Sequence, residues 1–422
     1  MSELVPTVAI AGLTAILIYI TTLVCTQIAQ HLRAGRFHHT ERALLRARIE
    51  QLASPIGKIQ SHAGEFAWSG FRKFVLKGKV LEAQDICSFY LTPHDGQPLP
   101  PYLPGQYLTF QTQIPGVNRV TTRCYSLSDG PLNPDYYRIT VKRIPPKDGD
   151  AHGQYGLVST FFQHNVQADD LIDVKAPAGH FYLDINERGP VVLIGGGIGI
   201  TPMLSMLNYI TATGSTRETW FFYGVPNGAH HIQKEYLRQL AAEHENVRLH
   251  ICYSQPREED VKGEDYHHAQ RVTVELLKQL LPSSNYAYYT CGPAAMMDEI
   301  TEDLEAWGVP KEHIHYEAFG PATIKSVRKA IPEAVADSQL EIVFSRSGKT
   351  VTWDGTHDSL LDFAEANGLM IDSGCRAGNC GTCLTAIRSG KVEYLSEPGA
   401  PVEEGSCLAC IALPQSNLNL DA

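Results

Sequence analysis

Asp372-Ser-Gly-Cys-Arg-Ala-Gly-Asn-Cys-Gly-Thr-Cys383, followed downstream by Ser406-Cys-Leu-Ala-Cys-Ile-Ala-Leu-Pro414, is the stretch that decides how this chain is read. Cys375, Cys380 and Cys383 stand at C-x4-C-x2-C spacing, and Cys410 lies far beyond them. Structural zinc sites pair their cysteines as two C-x2-C hooks or include histidine. One C-x4-C-x2-C run before a distant cysteine is instead the ligand spacing of a [2Fe–2S] site, with zinc or a disulfide as the alternatives. A loop that wraps a cluster must turn backbone N–H groups toward the sulfurs, and Gly374, Gly378 and Gly381 give it that freedom. Cys407, three residues before Cys410, is the rival for the fourth position.

Composition bounds what such a loop belongs to. A chain of 422 residues, 43% hydrophobic and 19% charged, is long enough for two or three globular domains. The net charge of −11 argues against a nucleic-acid binder, which would carry a basic face. Ten cysteines are too sparse for a disulfide scaffold. Unpaired thiols beside a thiolate-held cluster point to a reducing compartment.

Upstream, residues 4–24 form an uncharged run that as a helix would span about 30 Å, one bilayer crossing. Glu3 precedes it and no small-residue cleavage site follows, which disfavours a signal peptide. Arg33, Arg36, Arg42, Arg46 and Arg48 place the C-terminal side in the cytoplasm by the positive-inside rule. The expectation is a transmembrane anchor over residues 1–28, the alternative being a buried soluble helix, and a juxtamembrane helix or linker over 29–67. Residues 68–187 alternate apolar and polar positions between Gly/Pro turns, which predicts antiparallel strands closing a small β-barrel. Residues 188–321 alternate apolar strands with helical stretches, which predicts an α/β domain with a parallel sheet. A polar linker over 322–338 leads to the cluster domain, 339–422.

Gly195-Gly-Gly-Ile-Gly-Ile-Thr-Pro202, between a buried strand and a helix, can offer backbone N–H groups to a pyrophosphate, although Thr201 and Pro202 replace the end of the G-x-G-x-x-G pattern. With Arg123-Cys-Tyr-Ser126, Cys291-Gly-Pro293 and Glu317-Ala-Phe-Gly-Pro321, taken in order and spacing, it resembles the ferredoxin–NADP reductase superfamily, most closely the reductase half of the flavohaemoglobins. The resemblance covers roughly residues 68–321. The tail resembles a plant-type ferredoxin of α+β, β-grasp fold, placed as in phthalate dioxygenase reductase and other oxygenase reductases. The ferredoxin pattern sets the fourth ligand just before the last strand, favouring Cys410 and giving the metal set Cys375, Cys380, Cys383 and Cys410.

What the resemblance implies for the other sites follows residue by residue. Arg123 would hold a flavin phosphate, Tyr107 and Tyr125 would lie against the isoalloxazine, Cys124 between Arg123 and Tyr125 would bind the cofactor with them, and Ser126 would hydrogen-bond N5. Gly156, Val158 and Ser159 would form a second phosphate-binding turn. Gly197, Gly199, Thr201, Pro202, Gly292 and Pro293 would line the nicotinamide nucleotide, with Cys291 facing the nicotinamide and Glu317 near the reaction centre. Phe319 resembles the aromatic that covers the flavin in FAD-binding members, favouring FAD over FMN. No arginine or acid follows directly on the strand ending near Tyr223, which leans to NADH.

The resulting expectation is a membrane-anchored NAD(P)H oxidoreductase that passes electrons through flavin and cluster to an external acceptor, such as an oxygenase component. A reductase of a cytochrome or quinone, or a non-catalytic membrane redox sensor, is the alternative. The residues before 70 are too few for a globin, so haem dioxygenase activity is not expected. The site is expected at the cytoplasmic face of the inner membrane.

Overall fold

The computed structural model describes residues 68–117, 120–146, 155–319, 339–396 and 398–422. The anchor and juxtamembrane expectations over residues 1–28 and 29–67, and the linker 322–338, lie outside the described residues. No helix among the described residues is long and apolar enough to cross a membrane.

The first sheet is six-stranded: β1 (Arg72–Ala83), β2 (Ile86–Pro93), β3 (Tyr107–Gln113), β4 (Val120–Ser126), β5 (Tyr137–Lys142) and, after helix α1 (Leu157–His164), β6 (Leu171–Ala178). The order is β4-β3-β6-β1-β2-β5, antiparallel throughout. Strand alternation is visible in β1, where Phe74 and Leu76 are buried and Lys73 and Lys77 face water. The edges meet where Leu127, just past β4, bridges Ile139 of β5, so the sheet curls on itself as a barrel. Helix α1 caps one end. Its fully buried Phe162 sets its ring edge-on to Phe89, Phe110 and Tyr125 at centroid distances of 5.4, 5.4 and 5.3 Å.

The second sheet is five-stranded and wholly parallel: β7 (Val191–Gly196), β8 (Thr219–Val225), β9 (Val247–Tyr253), β10 (Ala287–Cys291) and β11 (Ile314–Glu317). Helices α2 (Ile200–Ala212), α3 (Lys234–Glu243), α4 (Val274–Leu280) and α5 (Ala294–Ala306) connect the strands. Every residue of β7 is buried, as a strand with helices on both faces requires. The order β11-β10-β7-β8-β9 reverses direction between β7 and β10. In an open parallel sheet the crevice at such a reversal is the ligand site.

The third sheet holds β12 (Leu340–Phe344), β13 (Lys349–Trp353), β14 (Leu384–Ser389), β16 (Ser406–Leu408) and β18 (Leu418–Leu420) in the order β13-β12-β18-β14-β16, beside a small ladder of β15 (Val392–Tyr394) and β17 (Ala412–Pro414). β18 returns to the centre parallel to β12 and antiparallel to β14, and the sheet grasps helix α6 (Leu360–Ala366). Ser359 caps α6 by accepting the Asp362 N–H at 3.1 Å. Phe363 of α6 buries its ring against Trp353 and Phe344. The α6 residue Leu361 donates its N–H to Ala409 O at 2.9 Å, which ties the helix to the segment carrying Cys410.

One glycine decides how the turns after β7 and β10 meet. A β-carbon on Gly199 would stand 2.1 Å from the carbonyl oxygen of Cys291 and 2.7 Å from the nitrogen of Gly292. Both obstacles are backbone. Gly199→Ala is therefore expected to destabilise the protein by about 1–3 kcal/mol, the usual range for overpacking, or more. Gly189→Ala, whose β-carbon meets nothing within 4 Å, should stay within about 0.5 kcal/mol. Urea midpoints of the two variants check this, and equal midpoints would refute it.

Candidate functional site

The loop from Gly374 to Cys383 gathers its thiols two by two. Cys375 contacts Cys380, whose sulfur accepts the Cys375 N–H at 3.3 Å. Cys383 Sγ lies 3.2 Å from Cys410 Sγ in the turn between β16 and β17, too far for a disulfide bond of about 2 Å. Backbone N–H groups of Ala377 and Asn379 aim at Cys375 Sγ at 3.4 and 3.3 Å, and that of Gly378 aims at Cys410 Sγ at 3.3 Å. Amides aimed at sulfur suit thiolates, which need donors once they leave water. Among the described residues no group of three or more His, Cys, Asp or Glu is placed to hold one metal ion. Two pairs, each able to give one iron its two terminal thiolates, fit a [2Fe–2S] cluster. Cys407 lies on β16, paired with Thr385, and burial pushes its thiol up to about 12.

Against this loop opens a cavity of about 390 Å³, within the roughly 300–1,000 Å³ of small-molecule sites. Tyr107, Arg123, Cys124, Tyr125 and Ser126 wall it from β3 and β4, Gly156, Val158 and Ser159 from the start of α1, and Ile198 and Thr201 from the turn after β7. Glu317 and Phe319 close one side; Gly374, Cys375, Arg376 and Asn379 of the thiol loop close another. Three sheets thus share one cavity.

Its walls suit a phosphate-bearing flavin. Burial, and then the charge of Arg376, lower the pKa of the Arg123 guanidinium, so two cations face one space that an anion would relieve. Arg376 bonds Glu365 and approaches Asp362 at 3.6 Å, while its buried Nε has no hydrogen-bond partner. Gly156 leads into α1 without a side-chain cap, and the first-turn N–H groups of that helix lack intrahelical partners, as at any helix start. The Ser159 hydroxyl is occupied in the turn: it donates to Gly156 O at 3.0 Å and accepts the Ile144 N–H at 3.2 Å. Tyr107 is buried and donates its hydroxyl to Asn379 O at 3.3 Å.

Ser126 Oγ donates to Glu317 Oε2 at 3.4 Å, and both side chains are buried. Burial pushes the Glu317 carboxyl up to about 8 against the opposing effect of the Ser126 hydrogen bond. At neutral pH it therefore holds a proton. Cys291 sits at the end of β10 in register with Gly195 and Glu317. Its thiol is fully buried outside the cavity wall, and burial, then Glu317, hold it well above the ordinary thiol range.

The nucleotide side lies at the sheet reversal. Gly197 takes φ +54 with open space around it, as a turn offering its amides to a pyrophosphate needs. Thr201 donates to Ile198 O at 3.0 Å, and Pro202 is buried in the first turn of α2. The Gly292-Pro293 turn rests on Gly196 and leads into α5. An acid reaches the end of β8 from the loop after β9: Asp260 Oδ2 accepts the N–H of Gly228 at 3.4 Å and that of Arg257 at 2.7 Å.

Arg376, Asn379 and Asp260 are the residues the sequence reading did not assign. Arg376 and Asn379 lie inside the quoted cysteine stretch, so their proximity to the ligands was the available signal. Asp260 lies 35 residues after Val225 in sequence (260 − 225), and no local pattern marks it.

Residues 193–302 match the oxidoreductase NAD-binding domain and residues 343–415 the 2Fe-2S iron-sulfur cluster binding domain. The Flavohemoprotein of Bacillus cereus is 41% identical over 259 residues, 61% of this chain and 63% of that one, so the chain spans less than two thirds of that relative. Among solved structures, the flavohem-like FAD/NAD binding domain of nitric oxide dioxygenase from Vibrio cholerae is similar with TM-score 0.52 and 33% identity, over 60% of this chain and 100% of that one. Phthalate dioxygenase reductase, a modular structure for electron transfer from pyridine nucleotides to [2Fe–2S], is similar with TM-score 0.53 and 27% identity, over 84% of this chain and 98% of that one. The domain order and the shared cavity agree with these likenesses: the chain belongs to the ferredoxin–NADP reductase superfamily, as an oxidoreductase whose flavohaemoglobin-like reductase half is joined to a C-terminal [2Fe–2S] ferredoxin domain.

Proposed function

We propose that the protein takes a hydride from NAD(P)H and passes the electrons singly through FAD and a [2Fe–2S] cluster to an oxygenase component. The observation that carries this reading is the single cavity walled by β4, by the turn after β7 and by the thiol loop. A bound flavin accepts two electrons together and releases them one at a time, which is the step a nicotinamide and a one-electron cluster lack between them. Tyr107 and Tyr125 offer flat aromatic walls, and the helix start at Gly156 with Arg123 provides the phosphate end. FAD is supported by Phe319 at the cavity and by the FAD/NAD binding domain that the chain resembles. The end of β8 is served by both an acid and an arginine, Asp260 beside Gly228 with Arg257 Nε 3.9 Å from its carboxylate, so it suits a ribose carrying either a free 2′-hydroxyl or a 2′-phosphate.

Catalysis by the chain itself is positional and electrostatic. Ser126 presents its hydroxyl at the cavity wall, where it would meet the hydride-accepting edge of the ring. Glu317, neutral and hydrogen-bonded to that hydroxyl, is a buried proton store for a ring that gains a proton on reduction. Residues 4–24 would anchor the enzyme in the inner membrane with the catalytic domains in the cytoplasm, supported by their lack of charge and the arginines after them.

Full-length protein should show NADH-dependent reduction of both ferricyanide and cytochrome c that sediments with membranes. Cys410→Ser should lose the cluster and cut cytochrome c reduction while sparing ferricyanide, and Cys407→Ser should spare both. An intact cluster in Cys410→Ser would overturn the ligand assignment, and activity wholly in the soluble fraction would overturn the anchor.

The Glu317 carboxyl makes a second prediction. Its folded pKa of about 8 lies above the unfolded value of 4.5, so the folded state keeps a proton that the unfolded chain gives up. Stability should then fall as pH rises from about 4.5 to about 8, by at most roughly 1.4 kcal/mol per pH unit. Glu317→Gln should remove that slope from a series of Tm measurements across the window; parallel wild-type and variant curves would show that the carboxyl titrates normally.

A further inference from the structure

The thiol loop meets the barrel at a fifth sulfur. Cys124, on β4 opposite Thr109 of β3, and the ligand Cys380 both bring their sulfurs to Gly374. A β-carbon on Gly374 would stand 3.0 Å from Cys124 Sγ, 3.0 Å from Cys380 Sγ and 3.2 Å from Thr382 Oγ1. These are tighter than ordinary contacts, so a side chain at position 374 would push on both sulfurs. On its other side Cys124 Sγ is 3.4 Å from Thr109 Oγ1.

The pairs Cys375/Cys380 and Cys383/Cys410 already give two irons two terminal thiolates each, so Cys124 is surplus to coordination. A surplus thiol keeps its hydrogen, and the acceptor in front of it is a cluster sulfur. We propose that Cys124 donates an S–H hydrogen bond to Cys380 Sγ and thereby sets the reduction potential of the cluster from the flavin side of the molecule. The Thr109 hydroxyl orients this thiol by donating to its sulfur. Reduction adds negative charge to the cluster, and a hydrogen bond to a ligand sulfur stabilises that charge, so the contact raises the potential. Cys124 is a positioning residue: Arg123 and Tyr125, its neighbours on β4, wall the flavin cavity, so one strand both shapes the flavin site and tunes the centre that takes its electrons.

This inference rests on the [2Fe–2S] reading of the four ligands, and its test separates the two. Full-length holoprotein, wild type, Cys124→Ala, Cys124→Ser and Thr109→Val, is analysed for iron content and by redox titration followed by EPR. Iron and the EPR signal of the wild type report whether the [2Fe–2S] cluster is there at all. With all clusters intact, Cys124→Ala should shift the cluster's reduction equilibrium about tenfold toward the oxidised state, which for one electron is about 59 mV more negative. Cys124→Ser, which keeps a donor, should recover most of the shift, and Thr109→Val should show a smaller change of the same sign. An unchanged potential in Cys124→Ala would overturn the hydrogen bond. Loss of the cluster in that variant would also overturn it, by making Cys124 a ligand.

Discussion

Gly374 carries no side chain, and the β-carbon it lacks would stand 3.0 Å from the sulfurs of both Cys124 on β4 and Cys380 on the cluster loop. Because of that approach the cluster loop lies on β4 rather than beside it. Other contacts then fall into place around it. Tyr107 bonds Asn379 across the same seam, and Arg376 enters the cavity that Arg123 walls from the barrel. Were the loop held even a side chain's width away, the cavity would lose one wall and the cluster ligands would no longer border the flavin site.

The parallel sheet supplies the other half of the arrangement by the same kind of exclusion. Gly199 brings the turn after β7 onto the Cys291 carbonyl, and the two turns together form the floor of the crevice at the sheet reversal. Glu317, at the end of β11 next to β10, enters the cavity from that sheet and reaches Ser126 of the barrel. The barrel, the parallel sheet and the cluster loop thus converge on one space, Gly199 against backbone and Gly374 against two sulfurs and a hydroxyl.

Much of this was legible in the sequence because it is local. Three of the four cluster thiols stand at fixed spacing along one loop, and the strand and helix periods around residues 68–187 and 188–321 are short-range patterns. Arg123 to Ser126 form one short motif of four consecutive residues, and all four line the cavity. What stayed hidden depends on contacts between distant segments. Cys124 read as a cofactor-binding residue between Arg123 and Tyr125, and nothing near it shows that it shares Gly374 with Cys380. Gly199 read as a phosphate-binding glycine, whereas its tightest constraint is the carbonyl of Cys291, 92 residues later (291 − 199). Arg376 adopts φ +56, a left-handed conformation that a sequence pattern assigns to glycine, and only the folded loop shows its guanidinium at the flavin cavity.

If the cluster loop sits on the flavin cavity of its own chain, electrons cross from flavin to cluster without a second molecule. Stopped-flow mixing of the holoprotein with NADH, following flavin bleaching and then cluster reduction by their visible bands, measures this directly. The account predicts a first-order cluster phase whose rate constant does not change as protein concentration is raised. A rate that grows in proportion to protein concentration would contradict it, because electrons would then be passing between molecules.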